Sequence, residues 1–447
     1  KSAGGADTPP SDVIAKSVAM IGKDDERRDR VRRISTLDIP AEDRIHTPEG
    51  GLDALGKLSP EKKRALCDAL EAAGLGNMIS VADGRITNDK LELTPSENVA
   101  KAPLALTQSI IEDYNSCPLL HFLKHKLRLA PERRAEFDAR NIGTFIHAVI
   151  EGFFNKVKRD GLAFSAIDNA MAESITRECA KDYIDTLEND GRSAREELLL
   201  SRLCEASLPV IKTLRDEFST SKFEPRFFEL SISEGKSDKP EPVKFKDKDG
   251  NESFVYGTID RVDTYEGQDR TYVRIIDYKT GEKTLSRKDI EEGKNLQMFL
   301  YLKSITDSKN EAFLKNLGAS GKPEAAGVEY LNVNIKDVKV YDPSPTSIDR
   351  ELAKAQQRVG LILNDPEVLA ATGKDFAPLR ITAKGAIHAS DLAKSFTSDE
   401  WEDMTRTIEG VIGDISSRMR RGDICAKPSE ADACTYCDFK ALCRSAK

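Results

Sequence analysis

The chain has 447 residues, of which 39% are hydrophobic and 32% are charged, a composition typical of a folded, soluble and heavily charged protein. Its 68 basic and 76 acidic side chains give a net charge of −8, so only a local basic surface could attract nucleic acid. No apolar run reaches the ~20 residues of a membrane-spanning helix, which excludes an integral membrane protein. Eight unevenly spaced cysteines favour metal ligation or free thiols over disulfides, and we therefore expect a cytoplasmic protein.

Residues 1–60 are rich in Gly, Pro, Asp and Lys and contain few apolar side chains. The chain begins "KSAGGADTPPSD", without an initiator Met or an apolar signal segment, so we expect a fragment or processed chain that lacks its true N-terminus. Residues 1–60 are predicted to be a flexible or linker segment. "GLDALGKL" at 51–58 approaches a phosphate-binding loop, but Leu58 replaces the magnesium-binding hydroxyl, so we predict no nucleotide binding. Ser59 and Pro60 begin a predicted helix, and residues 61–104 are interpreted as the helical tail of a preceding domain.

Residues 105–447 show the alternating patterns of an α/β domain. Ser109 and Glu112 predict a capping box at a helix start, and "NIGTFIHAVIEGFFNKVK" repeats its apolar residues with a helical period. Later the period changes to two, which predicts the strands "RFFELSIS", "ESFVYGTIDRVD" and "TYVRIIDYKTG", the last two joined by a turn. A helix at "NLQMFLYLKSI", a strand at "AGVEYLNVNI", a helix at "DRELAKAQQRVGLIL" and a long helix from about Ser398 to Arg421 follow.

Two predicted neighbouring strands carry acidic residues among apolar ones. Alternation places Asp277 and Lys279 on one face of their strand, and Asp260 stands between apolar residues of "GTIDRVD". A carboxylate in an apolar strand is costly unless it binds something, and a hairpin would bring Asp260 and Asp277 together. Two converging carboxylates suit Mg²⁺ or Mn²⁺, and a nearby lysine can orient an attacking water or neutralise charge on a phosphate. The alternative is that all three are half-exposed strand residues or ion pairs.

Two predicted helices add polar residues to this set. His147 lies near the start of the second helix, with Glu151 one turn later. Gln297 and Tyr301 share one face of the helix that follows the strand of Asp277 and Lys279. Considered singly, His147 is better explained as a core or surface histidine and Glu151 as a charge on a helix face. In combination, the order "GTFIHAVIE", "GTIDRVD", "IIDYKTG" and "QMFLY" resembles the RecB-like branch of the PD-(D/E)XK nucleases.

The resemblance implies a restriction-endonuclease-like core, in which a small mixed sheet is flanked by helices. It implies that a divalent metal is ligated by His147, Asp260 and Asp277, with the backbone carbonyl of Tyr278 as a further ligand. Glu229 in "FFELSIS" occupies a position where this family often carries an acidic residue on its first core strand, although a strand glutamate is usually solvated.

The same resemblance assigns roles to three further residues. Lys279 is implied to be the catalytic lysine. Gln297 and Tyr301 are implied to order the site and the substrate strand.

Three cysteines lie within the stretch "CTYCDFKALC" at 434–443, one fewer than the usual four ligands of a zinc or iron–sulfur site. This spacing, completed by Cys117 upstream, resembles the iron–sulfur staple of the AddB family and of CRISPR-associated and eukaryotic iron–sulfur exonucleases. The resemblance implies a [4Fe–4S] cluster that closes the helical additions of the domain, held by Cys117, Cys434, Cys437 and Cys443. A zinc site on the same cysteines is the alternative, and Cys425 is the substitute ligand.

Basic residues concentrate at the two segments that such a staple would join. They are Lys124, His125, Lys126, Arg128, Arg133 and Arg134 after Cys117, and Arg418, Arg420 and Arg421 before the cysteine trio. We predict that they form one basic track that leads a DNA strand to the metal site. The alternative is two solvated helix faces.

The residues predict metal-assisted phosphodiester hydrolysis, and the resemblance implies a Mg²⁺-dependent exonuclease acting on single-stranded DNA. The resemblance to the AddB family implies the nuclease domain of an AddAB-type helicase–nuclease in double-strand break repair and recombination, with an ATP-hydrolysing AddA-type partner. One alternative is a stand-alone iron–sulfur exonuclease of the CRISPR-associated or phage-defence type. Another is a catalytically silent DNA-binding subunit, which would bind no catalytic metal.

Overall fold

A computed structural model describes residues 59–72, 102–130, 139–187, 194–235, 238–281, 283–333, 358–430 and 432–443, together with Gly51, Gly74 and Gln356. The chain divides into two compact units, Lys1–Thr87 and Asn88–Lys447. In the first unit, helix α1 spans Pro60–Ala72, as the Ser59–Pro60 start predicted. Most of the predicted flexible segment 1–60 lies outside the described residues. No described helix is long and apolar enough to cross a membrane.

The second unit combines a mixed sheet with helices on both faces. Its helices are α2 (Gln108–Ser116), α3 (Pro118–His121), α4 (Ala139–Arg159), α5 (Asn169–Thr186), α6 (Ala194–Thr220), α7 (Arg287–Glu291), α8 (Gln297–Thr306), α9 (Glu311–Leu317), α10 (Pro366–Thr372), α11 (Ser398–Arg420) and α12 (Lys440–Cys443). A π-helical turn spans Phe122–Lys126, and short 3-10 turns span Phe164–Ala166 and Ala389–Lys394. Helix α2 begins two residues earlier than the predicted capping box, because the Thr107 hydroxyl accepts the amide of Ile110.

Eight strands form one sheet in the order β1-β4-β5-β6-β7-β8, with β2 and β3 also paired to β4. They are β1 (Leu104–Thr107), β2 (Glu224–Ile232), β3 (Val243–Lys246), β4 (Glu252–Glu266), β5 (Thr271–Lys279), β6 (Glu324–Asn332), β7 (Val359–Leu363) and β8 (Ser395–Phe396). Strands β4 and β5 form the predicted antiparallel hairpin, and β6 lies parallel to β5. The α/β class with a mixed sheet and flanking helices is confirmed.

The predicted helix at "DRELAKAQQRVGLIL" is wrong in its described part. Val359–Leu363 is strand β7, which pairs antiparallel with β6. Its last four residues are buried, and a short, fully buried apolar run fits a central strand as well as a helix. The partner strand lies 27 or more residues earlier in the chain, so the local pattern could not distinguish the two.

The sheet is buried on both faces, which fits the almost uninterrupted burial of β5. One apolar layer contains Val273 and Ile275 of β5 together with α8 and α11. The other contains Ile276 and Tyr278 of the same strand together with α4, α5 and α6. The alternation predicted for β5 is therefore present, and the side chains on the two faces of this strand pack into different apolar layers.

Candidate active site and cysteine site

The two predicted strand carboxylates come together where β4 and β5 separate. The side chain of Asp260 is 11% exposed, and its Oδ2 accepts the backbone amide of Tyr278 at 2.7 Å. Burial and the nearby Asp277 carboxylate raise the pKa of Asp260 to about 7. Burial also raises the pKa of Asp277, although Lys279 opposes this with its Nζ 2.5 Å from Asp277 Oδ2. Two buried acids are thus held close enough to disfavour double ionisation.

A histidine and a third carboxylate complete this cluster. Candidate ligand atoms of His147, Glu229 and Asp260 all lie within 4.8 Å of one another. His147 Nδ1 lies 3.5 Å from Glu229 Oε1 and 3.6 Å from Asp260 Oδ2. Its Nε2 lies 3.1 Å from the Tyr278 carbonyl oxygen. Burial favours the neutral imidazole, but the two carboxylates outweigh it and raise the pKa of His147.

Glu229 sits in a strained position on β2. Its φ of +45° lies in the left-handed region, which costs a non-glycine residue ~1–3 kcal/mol. The neighbouring pairs Phe228 with Arg261 and Leu230 with Ile259 place Glu229 directly opposite Asp260. Glu151, which sequence reasoning treated as a helix-face charge, has a raised pKa because of its burial and the Glu229 carboxylate. The structure therefore brings both glutamates to the edge of the acidic cluster.

Gln297 and Tyr301 project together from the first turns of α8, and both are buried. Burial raises the pKa of the Tyr301 phenol to about 12, although the neighbouring Gln297 side chain and Thr258 backbone act to lower it. Gln297 Oε1 has no hydrogen-bond partner in the part of the chain that the structure describes. A Cβ at Gly257 would lie 2.1 Å from the Tyr301 hydroxyl, so glycine leaves the space that this ring occupies.

The four predicted cysteine ligands line one cavity. Cys117 and the terminal cysteines face it together with apolar side chains that include Leu119, Leu123 and Phe439; the cysteines are Cys117, Cys434, Cys437 and Cys443. None of the eight cysteines forms a disulfide bond in the described structure. Burial raises the pKa of the Cys117 thiol, and nearby Cys443 and Cys434 add to that effect. Cys425 is buried beside this group, and its backbone carbonyl accepts the Leu119 amide at 3.2 Å.

A sequence profile described as the PD-(D/E)XK nuclease superfamily matches residues 105–444. The chain belongs to the PD-(D/E)XK nuclease superfamily. The predicted superfamily and its restriction-endonuclease-like fold class are thereby confirmed. The carboxylates and lysine described above occupy the strand hairpin of this PD-(D/E)XK domain.

Three curated relatives of this nuclease domain are each named as a subunit of an "ATP-dependent helicase/deoxyribonuclease". The protein of Clostridium botulinum strain Loch Maree is 25% identical over 366 residues, which cover 79% of this chain and 31% of the relative. The protein of Caldanaerobacter subterraneus subsp. tengcongensis is 24% identical over 460 residues, which cover 97% of this chain and 38% of the relative. The protein of Clostridioides difficile strain 630 is 26% identical over 358 residues, which cover 76% of this chain and 30% of the relative. The chain thus spans about a third of the length of these relatives.

The predicted basic track of the PD-(D/E)XK domain needs correction. Arg420 is 7% exposed and structural, because it donates to the carbonyls of Ala102 and Glu252 and lies 3.1 Å from Asp247 Oδ2. It therefore cannot contact DNA in this structure. Arg418 is partly buried, with Asp423 3.0 Å away and the ring of Tyr114 beneath its guanidinium.

Other residues of the predicted track have different positions. Lys124 and His125 both contact Asp113 Oδ2, at 2.8 and 2.6 Å. Lys126, Arg128 and Arg421 are exposed and stay candidates for DNA contact. Arg133 and Arg134 lie outside the described residues.

Proposed function

We propose that this chain is a metal-dependent DNA nuclease domain that hydrolyses phosphodiester bonds of single-stranded DNA. One observation carries the proposal, namely the convergence of an imidazole, buried carboxylates and a lysine at the point where β4 and β5 separate. Family membership independently supports nuclease chemistry. Burial raises the pKa of both aspartates, the Asp277 carboxylate raises that of Asp260 further, and the nearby Lys279 does not offset the rise at Asp277.

The donor set fits a divalent cation such as Mg²⁺ or Mn²⁺. Carboxylate oxygens are the ligands that these cations prefer, and crowded buried acids ionise more readily beside a cation. His147, Asp260 and Asp277 would hold it, with the Tyr278 carbonyl beside them. We add Glu229, because its Oε1 shares the His147 and Asp260 cluster. When bound, such a cation polarises the phosphate and lowers the pKa of a coordinated water.

The protein side chains position the reacting groups. Lys279 is held by Asp277 and can orient the attacking water or neutralise charge that develops on the phosphate. Asp260 is fixed by the amide of Tyr278, and His147 by the carbonyl of the same residue, so one strand residue aligns both. Gln297 and Tyr301 are buried on α8, and Asp277 and Asp260 lie near enough to Tyr301 to help raise the pKa of its phenol.

The four cysteines around one apolar cavity fit an iron–sulfur cluster, since none is in a disulfide bond and Cys434 and Cys443 lie close enough to raise the pKa of both Cys117 and Cys437. We propose a [4Fe–4S] cluster as the staple that joins α3 to the terminal segment. The buried surroundings also suit a structural zinc ion. The iron content and visible absorbance of the purified protein distinguish the two.

The names of the relatives extend the proposal to a larger assembly. We propose that the domain acts as an exonuclease within an AddAB-type helicase–nuclease, where an ATP-driven AddA-type partner delivers an unwound strand during break repair and recombination. A stand-alone exonuclease is the second candidate. Full activity of the isolated chain on single strands, without a motor or ATP, would favour it.

The central experiment replaces Asp277 by Asn and Lys279 by Met in separate variants. We expect each to lower the rate of single-strand cleavage at least about 100-fold, because each removes a group that acts on the reacting phosphate. Asp269→Asn, the same change in the exposed β4–β5 turn, should keep the parental rate. Parental rates in the Asp277 and Lys279 variants would refute the proposal.

Calorimetric titration with Mg²⁺ tests the catalytically silent alternative. The parental chain should bind the ion, and the Asp277→Asn variant should bind it more weakly. A parental chain that binds neither Mg²⁺ nor Mn²⁺ would favour a silent DNA-binding module.

A further inference from the structure

The turn that leads into the Gln297 helix has an unusual backbone. Gly293 has a φ of +74°, and Asn295, two residues later, has a φ of +52°. A non-glycine residue in this region persists only where its surroundings hold it. Helix α8 begins at once with Gln297, and its N-cap residue Leu296 makes no side-chain capping hydrogen bond. The position of Gln297 therefore depends on what holds this turn.

Contacts from both cysteine-bearing segments hold it. The Asn115 side-chain amide donates to the Glu292 carbonyl at 3.0 Å and to the Gly293 carbonyl at 3.1 Å. Lys294 Nζ bonds to the Glu430 carboxylate on the other segment. A Cβ at Gly293 would lie 3.0 Å from Asn115 Nδ2, so the turn and Asn115 are in close contact.

The two holding residues lie close to the cysteines in sequence. Asn115 precedes Cys117 by two positions, and Glu430 precedes Cys434 by four. Their segments are joined by backbone hydrogen bonds, from the Ser429 amide to the Ser116 carbonyl at 2.8 Å and from Leu119 to Cys425 at 3.2 Å. A continuous set of contacts therefore runs from the cysteine cavity to the start of α8.

We propose that Asn115 and Glu430 are positioning residues that couple the cysteine site to the nuclease site through the Glu292–Leu296 turn. The inference rests on the proposed nuclease function, which it deepens. Fastening the two cysteine segments fixes the turn, and the turn sets where Gln297 and Tyr301 present their polar atoms. Neither positioning residue contacts the acidic cluster, so their loss should leave the metal ligands in place.

The test uses two shape-preserving variants and one matched control in the full chain. Asn115→Asp keeps the side-chain shape but replaces both amide donors, and Glu430→Gln removes the charge that faces Lys294. Asp432→Asn, the control, removes a negative charge from the same terminal segment two residues away. Turnover on single-stranded DNA, Mg²⁺ binding, iron content and amide hydrogen exchange are measured for all four proteins.

For Asn115→Asp and Glu430→Gln we expect turnover to fall about tenfold, because small displacements of positioning groups are costly to rate. Mg²⁺ affinity and iron content should stay within twofold of the parental values. Exchange should accelerate in the peptide covering residues 292–301 while β5 stays protected, and the control should match the parental chain throughout.

Two outcomes would overturn the proposal. One is parental turnover with unchanged exchange in both variants. The other is exchange that accelerates equally in β5, which would indicate a general loss of stability instead of a local release. If the parental chain shows no nuclease activity, the proposed function fails on its own, and the exchange pattern still decides whether these residues hold the turn.

Discussion

Replacing Gly257 by Ala tests whether the buried Tyr301 ring takes part in the reaction. The added methyl carbon would lie 2.1 Å from the Tyr301 hydroxyl oxygen and 2.3 and 2.4 Å from its two nearest ring carbons. Ordinary contact begins at 3.4 Å, so the ring must move by about 1.3 Å. Gly257 has no positive φ, so the perturbation is steric and not a backbone strain.

The displacement has separate consequences for stability and rate. Forcing one methyl group into a packed site costs ~1–3 kcal/mol of unfolding free energy. The Tyr301 phenol would also be drawn away from Gln297 and from the Thr258 amide. A displacement of ~1 Å in a positioning group can lower a rate by as much as ~100-fold, so we expect a loss of about 10- to 100-fold in turnover.

The assay compares single-strand cleavage and urea unfolding for Gly257→Ala and a matched control. Gly143→Ala makes the same change near the site, on α4, but its methyl group would meet only Thr280 Cγ2 at 3.8 Å. This helix substitution should leave turnover unchanged and add about 0.5–1 kcal/mol of stability. In a Tyr301→Ala background, Gly257→Ala should cost little stability, because the ring it displaces is absent. Parental turnover in Gly257→Ala itself would refute the reasoning.

Three further predictions follow from other contacts. With metal removed by a chelator, the unfolding free energy should fall as the pH rises from ~4, the pKa of an unfolded aspartate, to about 7. The reason is that Asp260 keeps its proton to a higher pH in the folded chain than in the unfolded chain. Urea unfolding of Asp260→Asn should show a flatter dependence on pH. Cys117→Ser should lose iron and visible absorbance, whereas Cys425→Ser should keep both. Arg420→Ala should destabilise the fold by roughly 3–5 kcal/mol, because it removes the buried cation that faces Asp247 and the donor to the Ala102 and Glu252 carbonyls, and a loss below 1 kcal/mol in chemical unfolding would contradict this.

The strand patterns predicted the core of the site because their information is local. Period-two alternation places Asp277 and Lys279 on one face, and a short turn specifies the hairpin that brings Asp260 alongside. A helical period likewise places Gln297 and Tyr301 together on α8. These residues come together through rules that act over fewer than ten positions or across one turn.

The features that the sequence did not predict depend on contacts between distant segments. The strain at Glu229 and the space at Gly257 follow from pairing and packing that no local pattern encodes. Arg420 looked like part of a basic helix end, yet its partners lie on a strand loop more than 160 residues earlier. A charged residue near a helix terminus is usually solvated, so the local sequence predicted an exposed position for Arg420.

Two buried charge clusters in this domain differ in how their acids are neutralised. On the α6 side of the sheet, three arginines meet three acids; they are Arg261, Arg274, Arg358, Glu217, Asp263 and Glu329. Burial there favours neutral Glu217, yet the three guanidinium groups hold its pKa at about 2.

The acidic cluster at the end of β4 and β5 has no such neutralisation. It contains Glu229, Asp260 and Asp277, with Lys279, Lys283 and His147 as neighbouring cationic groups, and the pKa of Asp260 still rises to about 7. The same fold thus neutralises buried acids with arginine where charge is structural, whereas Asp260 and Asp277 at the hairpin keep raised pKa values. A bound divalent cation would favour the ionised form of both aspartates, which is why we expect Mg²⁺ to stabilise the parental chain and to have little effect on a variant lacking Asp260 and Asp277.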